Sequence, residues 1–175
     1  MIIVKNNTKI KKTEIAAIER HPVPVLGVDY RVKIIYKNIK IAELDVENTT
    51  IKISLPNKYK KCDNKKILDM AIDKMYEQIA KVEIENAMEK MRIMLGFAPE
   101  DYKIAKIKKG LGKCENNKIT ISPEVIKYNR KFIEYVVLHE YCHLKYKNHC
   151  RSFFEMISKY EPEYEKYEEI YSNNK

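Results

Sequence analysis

Tryptophan is absent from the 175 residues, and there are only four glycines and six prolines. So little glycine excludes collagen-like and low-complexity chains, and no glycine-rich loop is present to cradle a phosphate. No Gly/Ser/Pro-rich linker and no internal repeat divides the chain. Long apolar runs are missing too: none approaches the ~20 residues that span a bilayer. The N-terminal MIIVKNNTKIKK lacks an apolar core of signal-peptide length, so the chain reads as cytoplasmic. Cysteine is sparse, and Cys62, Cys114, Cys142 and Cys150 form no CxxC pair, so free thiols are expected in a reducing compartment. Acidic residues fall short of basic ones, 25 against 34, for a formal charge of +9. That excess would suit a nucleotide or nucleic-acid partner, but the lysines are scattered, with no dense basic block. Coding bias and a solvated surface explain them as well.

What is present is a globular balance: 45% hydrophobic and 34% charged residues. A chain of this length buries roughly 70% of its unfolded surface and needs no disulfide staple. One domain, 1–175, is expected, in three parts. Residues 1–60 read as strands: Tyr30, Val32, Ile34 and Tyr36 alternate, Ile39, Ile41 and Leu44 run on, and Ile51, Ile53 and Leu55 alternate again. Period two predicts half-buried antiparallel strands, with turns at Lys37-Asn38 and Glu47-Asn48. Residues 64–96 read as a long helix. Leu68, Ile72, Met75, Ile79 and Val82 make its seam, which drifts on through Ala87, Met91 and Met94. Asp63 would cap it, and Gly96 with Pro99 would stop it. The seam is too short and drifting for a coiled-coil dimer, so core packing is preferred. Residues 103–171 complete the chain. Two short strands fall within 103–122, at Ile104 and Ile107 and at Ile119 and Ile121. Helices follow at 131–147, at about 152–159, and, very acidic, from near Pro162. The class is α+β.

Histidine is the informative scarcity. Of four in the chain, His139, His143 and His149 lie within eleven residues and only His21 stands apart. His139 and His143, at i and i+4 on a helix, are about 40° apart and can share one ion. Glu140, about 100° round from His139, can reach a water without binding the ion itself. This HExxH arrangement is that of zinc hydrolases, with two imidazole ligands and a glutamate general base acting on a metal-bound water. A satisfied core histidine is the usual explanation for a single buried imidazole, but it accounts poorly for three at this spacing. Catalytic zinc takes a third protein ligand. His149 is ten residues after His139, about 80° off the face and about 15 Å along a continuous helix. It can join the site only if the helix ends near Lys147, where Asn148 tolerates the left-handed conformation. Glu155, Glu161 and Glu163 are alternative third ligands. Tyr146 stands where metzincins place a glycine, which excludes that class. Arg151, Tyr141 and Tyr146 are candidates for transition-state or substrate contacts, although solvated or packing roles explain each equally well. Cys142 points away from the His pair and reads as a packing residue. One zinc ion is expected, with another divalent metal as the alternative.

The stretch Tyr135-Val136-Val137-Leu138-His139-Glu140-Tyr141-Cys142-His143, then Asn148-His149-Cys150 and Phe153-Phe154, resembles the YgjP-like metal-dependent hydrolases. These are a zincin group related to the SprT-like and gluzincin peptidases. Leu111-Gly112-Lys113-Cys114 stands where the family carries Trp-Gly-Ser-Cys, and Pro162, Tyr164 and the closing helix fit its tail. The specific likeness covers about 104–171; the N-terminal strands and long helix match in layout. Phe154 and Leu111 replace family tryptophans, Lys113 a serine and Ser122 an asparagine, and none of these removes a ligand or the base. The resemblance implies a minimal zincin fold, with a small sheet beside an active-site helix and a long backing helix. It also implies a core position for Cys114 and a zinc metallopeptidase acting on a peptide or protein. Assignments within the family also point to a nucleoside triphosphate pyrophosphatase or phosphohydrolase on the same site. A non-catalytic DNA-associated zinc module is a third reading, for which Cys150 would be a fourth ligand. No membrane partner is expected.

Overall fold

The computed structural model describes residues 15–16, 22–61 and 64–174, which fall into two compact units, Met1–Met75 and Tyr76–Lys175. His21, Cys62 and the proposed cap Asp63 lie outside the described residues. The fold is α+β, as the sequence pattern predicts.

The first unit holds a five-stranded sheet of β1 (Ile15–Ala16), β2 (Val23–Val25), β3 (Val28–Lys37), β4 (Glu43–Glu47) and β5 (Thr50–Pro56). Its order is β1-β3-β5-β4, with β2 also paired to β3. Val32, Ile34 and Tyr36 are buried opposite Ile51, Ile53 and Leu55, so the alternation located both strands correctly. Their direction corrects the antiparallel expectation: β3 and β5 run parallel, while β1, β2 and β4 pair antiparallel. β4 takes the outer place and turns back at Asn48-Thr49, so β5 fills the gap beside β3 in the direction of β3. Side chains alternate with the same period in both directions, so the pattern carries no information on direction. Ile39 and Ile41 lie in the irregular link before β4, not in a strand, and Ile41 is exposed.

Helix α1 (Asn64–Leu95) runs from the first unit into the second. It ends where predicted: the Gly96 N–H closes on the Arg92 carbonyl at 3.1 Å, and Gly96 adopts φ +73°, a left-handed stop. Its buried line keeps Leu68, Met75, Ala87 and Met91 of the predicted seam and departs from it in between. Val82 is 56% exposed, and burial follows Tyr76, Ala80, Ile84, Ala87, Met88 and Met91. Successive steps of three and four leave Val82 on the far side of that line. Ala80 is fully buried although its small side chain adds little to an apolar pattern.

In the second unit, β6 (Asp101–Ile104), β7 (Gly112–Glu115) and β8 (Lys118–Ile121) form a sheet in the order β6-β8-β7. Three strands replace the expected two. β7 alternates glycine and cysteine with charged residues and shows no large apolar side chain, and Ile107 lies outside any strand. Asn116 and Asn117, both at positive φ, make the tight β7–β8 turn. Helices α2 (Arg130–Lys145), α3 (Arg151–Tyr160) and α4 (Tyr164–Ser172) follow. Asn129 caps α2, its side chain accepting from the Phe132 N–H at 3.0 Å. Phe132, Ile133 and every residue from Tyr135 to Cys142 are buried, so α2 is the core of this unit. Full burial of side chains such as Val136, Val137 and Leu138 contributes about 1.5–3 kcal/mol each. The second half of α1 meets α2 through Arg130–Glu83 and Lys90–Glu134 ion pairs. The position predicted for a backing helix is thus held partly by charge.

Candidate metal centre

His139, Glu140 and His143 occupy the last two turns of α2, with burial falling along the helix. His139 is buried, His143 half-buried, and His149 beyond the helix is exposed. The helix ends two residues earlier than Lys147. Tyr146 leaves in extended conformation while its N–H still reaches the Cys142 carbonyl at 2.9 Å. Asn148 does not take the left-handed conformation; its carbonyl accepts from the Cys150 N–H at 2.8 Å, which turns the chain. The reversal delivers His149: its Nε2 lies 3.0 Å from Nε2 of His139. One ring nitrogen from each of the three histidines falls within 4.8 Å of the others.

Neighbours orient these rings. His143 Nδ1 lies 2.9 Å from the Tyr146 carbonyl, a pure acceptor, so Nδ1 carries the proton and Nε2 the lone pair. Phe153, fully buried on α3, sits beneath all three imidazoles, its ring 4.9, 4.7 and 4.8 Å from those of His139, His143 and His149. Two nitrogens on one tetrahedral zinc ion are about 3.3 Å apart, so this donor set fits zinc. Three protein ligands would leave a coordination position for water on a bound ion, and His149 is the exposed member of the set. Glu155 pairs with Arg151, and neither Glu155, Glu161, Glu163 nor Cys150 belongs to the group of three.

Glu140 is 2% exposed and turns toward β7. The Tyr171 hydroxyl donates to its Oε1 at 2.6 Å and lies 3.4 Å from the Gly112 carbonyl. A Cβ on Gly112 would come within 2.5 Å of Oε1, so only glycine leaves room for the carboxylate. Burial, then the Glu140 carboxylate, raise the Tyr171 hydroxyl far above the phenol range, so it stays a donor.

This geometry coincides with a match to a protein-family model, the YgjP-like metallopeptidase domain, over residues 2–173. The chain belongs to the YgjP-like metallopeptidase family. The match takes in the N-terminal strands and α1, well beyond the stretch that carries the motif likeness. The YgjP-like chain is therefore a hydrolase of the metallopeptidase kind, which works with a divalent metal, usually zinc. No curated protein matches it. Among solved structures it is similar to the metallopeptidase zymogen of Pyrococcus abyssi abylysin. Identity there is 25%, over 43% of this chain and 77% of that one, with a TM-score of 0.40. It is also similar to the metallopeptidase zymogen of Methanocaldococcus jannaschii jannalysin. Here identity is 20%, over 49% of this chain and 89% of that one, with a TM-score of 0.43.

The other residues singled out in the YgjP-like sequence lie elsewhere. Arg151 has 92% of its side chain exposed and pairs with Glu155. The buried Tyr141 gives its hydroxyl to the Met88 carbonyl at 3.1 Å, and burial pushes that hydroxyl up to about 12. Tyr146 takes part through its carbonyl. Cys142 is fully buried, and its thiol is pushed up to about 12 by burial. Cys114 is half-buried on the edge strand β7, which corrects the core position that the family likeness implies; Cys114, Cys142 and Cys150 are all free thiols. Among the described residues no helix is long and apolar enough to cross a membrane.

Two contributors were missed in the sequence, Glu168 and Tyr171. Glu168 Oε2 lies 3.3 Å from His139 Nδ1 and accepts from the Tyr135 hydroxyl, while Oε1 accepts from Ser172 Oγ at 3.0 Å. Burial opposes its charge, yet the bonds from His139, Tyr135 and Ser172 hold its carboxyl at about 2. Both sit on a helix whose acidity reads as a solvated face. No spacing from the HExxH stretch marks them.

Proposed function

We propose that this domain is a zinc-dependent peptidase in which His139, His143 and His149 hold one ion and Glu140 is the general base. The observation that carries the reading is the convergence of three imidazole nitrogens within 4.8 Å, one residue along the helix from a buried glutamate. When bound, the ion supplies a Lewis acid that acidifies a water and polarises a carbonyl. The protein's residues do the rest. Phe153 packs beneath the three rings. Tyr171 pins Glu140 Oε1, and Oε2 takes the proton of the attacking water and passes it to the leaving amine. β7 is the edge of its sheet and brings Gly112 to Glu140, so an extended peptide laid along that edge would place its backbone beside the base.

The rival readings draw no support from this geometry. Residues 1–75 contain sixteen basic and nine acidic side chains, while 76–175, which carry the histidines, contain eighteen and sixteen. The positive excess that suggested a phosphate or nucleic-acid partner is thus mostly outside the unit that holds the site. A structural zinc would close with a fourth protein ligand, and Cys150 is not in the donor group.

Glu140→Gln is the test. It is expected to retain one zinc ion per chain and to lose casein hydrolysis, since the amide cannot take a proton from water. An active Glu140→Gln overturns the reading.

A further inference from the structure

Glu168 and Tyr171, three residues apart on α4, share a helix face and reach adjacent residues of α2. Glu168 Oε2 lies 3.3 Å from His139 Nδ1, and the Tyr135 hydroxyl lies 3.5 Å from the same nitrogen. Tyr135 gives its proton to Glu168, so it can meet Nδ1 only as an acceptor. Glu168 and Tyr135 therefore both meet Nδ1 as acceptors. The proton must sit on Nδ1, and the lone pair on Nε2, the atom that faces His149. Tyr171 does for Glu140 what Glu168 does for His139: its hydroxyl fixes Oε1, and its ring packs 4.5 Å from that of His139.

We propose that α4 is the positioning element of the site, with Glu168 setting the tautomer and orientation of His139 and Tyr171 setting the side-chain direction of Glu140. This rests on the reading of His139 as a ligand and Glu140 as the base. Glu168 touches neither substrate nor metal and acts through His139. A carboxylate behind a metal-bound imidazole raises its basicity, and losing such a partner typically weakens metal binding 10–100-fold.

The test uses the full-length chain. In metal-free, ¹⁵N-labelled protein at pH 8, ring-nitrogen NMR is expected to show His139 protonated at Nδ1. Glu168→Leu should shift it toward the Nε2-protonated form and raise the zinc Kd, measured by chelator competition, ~10–100-fold. Glu168→Ala reads the same way if the leucine variant does not fold. Glu168→Gln keeps an acceptor oxygen and is expected to restore both the tautomer and most of the affinity. Zinc affinity and tautomer unchanged in Glu168→Leu, or a glutamine variant as impaired as leucine, would overturn the role of Glu168. Tyr171→Phe should bind zinc normally but lower kcat on casein by about 10-fold or more at constant KM. A zinc-loaded crystal structure of that variant should show Glu140 turned; an unmoved Glu140 overturns the role of Tyr171. If the wild type cleaves no peptide, the function assigned above fails, while the NMR, zinc and crystallographic arms still decide the role of α4.

Discussion

Gly112 makes the sharpest demand on a single residue. Its missing side chain is the space that Glu140 occupies, and the obstacle a Cβ would meet is a buried carboxylate held by Tyr171. If Glu140 is the base, as proposed, moving that carboxylate by an ångström can cost ~100-fold in rate. Gly112→Ala is accordingly expected to fold and to bind one zinc ion. Its casein hydrolysis should fall by about two orders of magnitude. Full activity in that variant would mean that Glu140 does not work from this position. His139, Glu140 and His143 of the candidate site are legible because one helical turn relates them and the chemistry restricts the residue types, and His149 only on the added condition that the helix ends before it. Gly112 reads only as a strand break and as part of the family likeness, and Glu168 and Tyr171 carry no mark at all, because their distances to His139 and Glu140 depend on how α4 returns across α2. That return is a tertiary fact, with no periodic trace in the chain.

Among the elements, α3 is a short helix that supports the three imidazoles through one side chain. Phe153 is its inward residue and the shared floor of all three imidazoles. Phe153→Ala would leave a cavity there and is expected to cost about 3–5 kcal/mol in urea unfolding. Phe153→Leu keeps much of the volume and should cost under ~1.5 kcal/mol, yet still weaken zinc, because the rings lose their common support. Equal zinc affinity in the leucine variant would show that the floor is not needed. Elements with one strong period were legible: α1 from Asn64 to Leu95, the buried faces of β3 and β5, and α2 to within two residues. β7 was not, since its residues carry no apolar alternation, although it lies next to Glu140. The end of α2 was misread for a similar reason. The chain turns through the Tyr146 carbonyl held against His143 and through the Asn148 carbonyl, and not through a left-handed asparagine. Backbone acceptors look alike in every residue, so a sequence does not reveal which one will be used.

At the scale of the whole molecule, the metal is expected to be a determinant of stability as well as of chemistry. α2 is buried along almost its whole length, yet its last two turns bring His139 and His143 together with the exposed His149, three imidazole nitrogens within 4.8 Å of one another. A ligand that binds only the folded chain stabilises it by RT ln(1 + [L]/Kd), about 2.7 kcal/mol at a hundredfold excess over Kd. Stripping the protein with a chelator should therefore abolish casein hydrolysis and lower the melting temperature. Returning zinc should recover both, to an extent that grows with the logarithm of free zinc. His149→Ala removes the proposed third ligand while leaving Phe153 and the core of α2 in place, so its metal-free melting temperature should stay near that of the metal-free wild type. It should gain little from added zinc. The exposed His149 is the right residue for this comparison, because its loss leaves no cavity to confuse the melting temperature. A variant that binds one zinc ion and is stabilised like the wild type would show that His149 is not the third ligand.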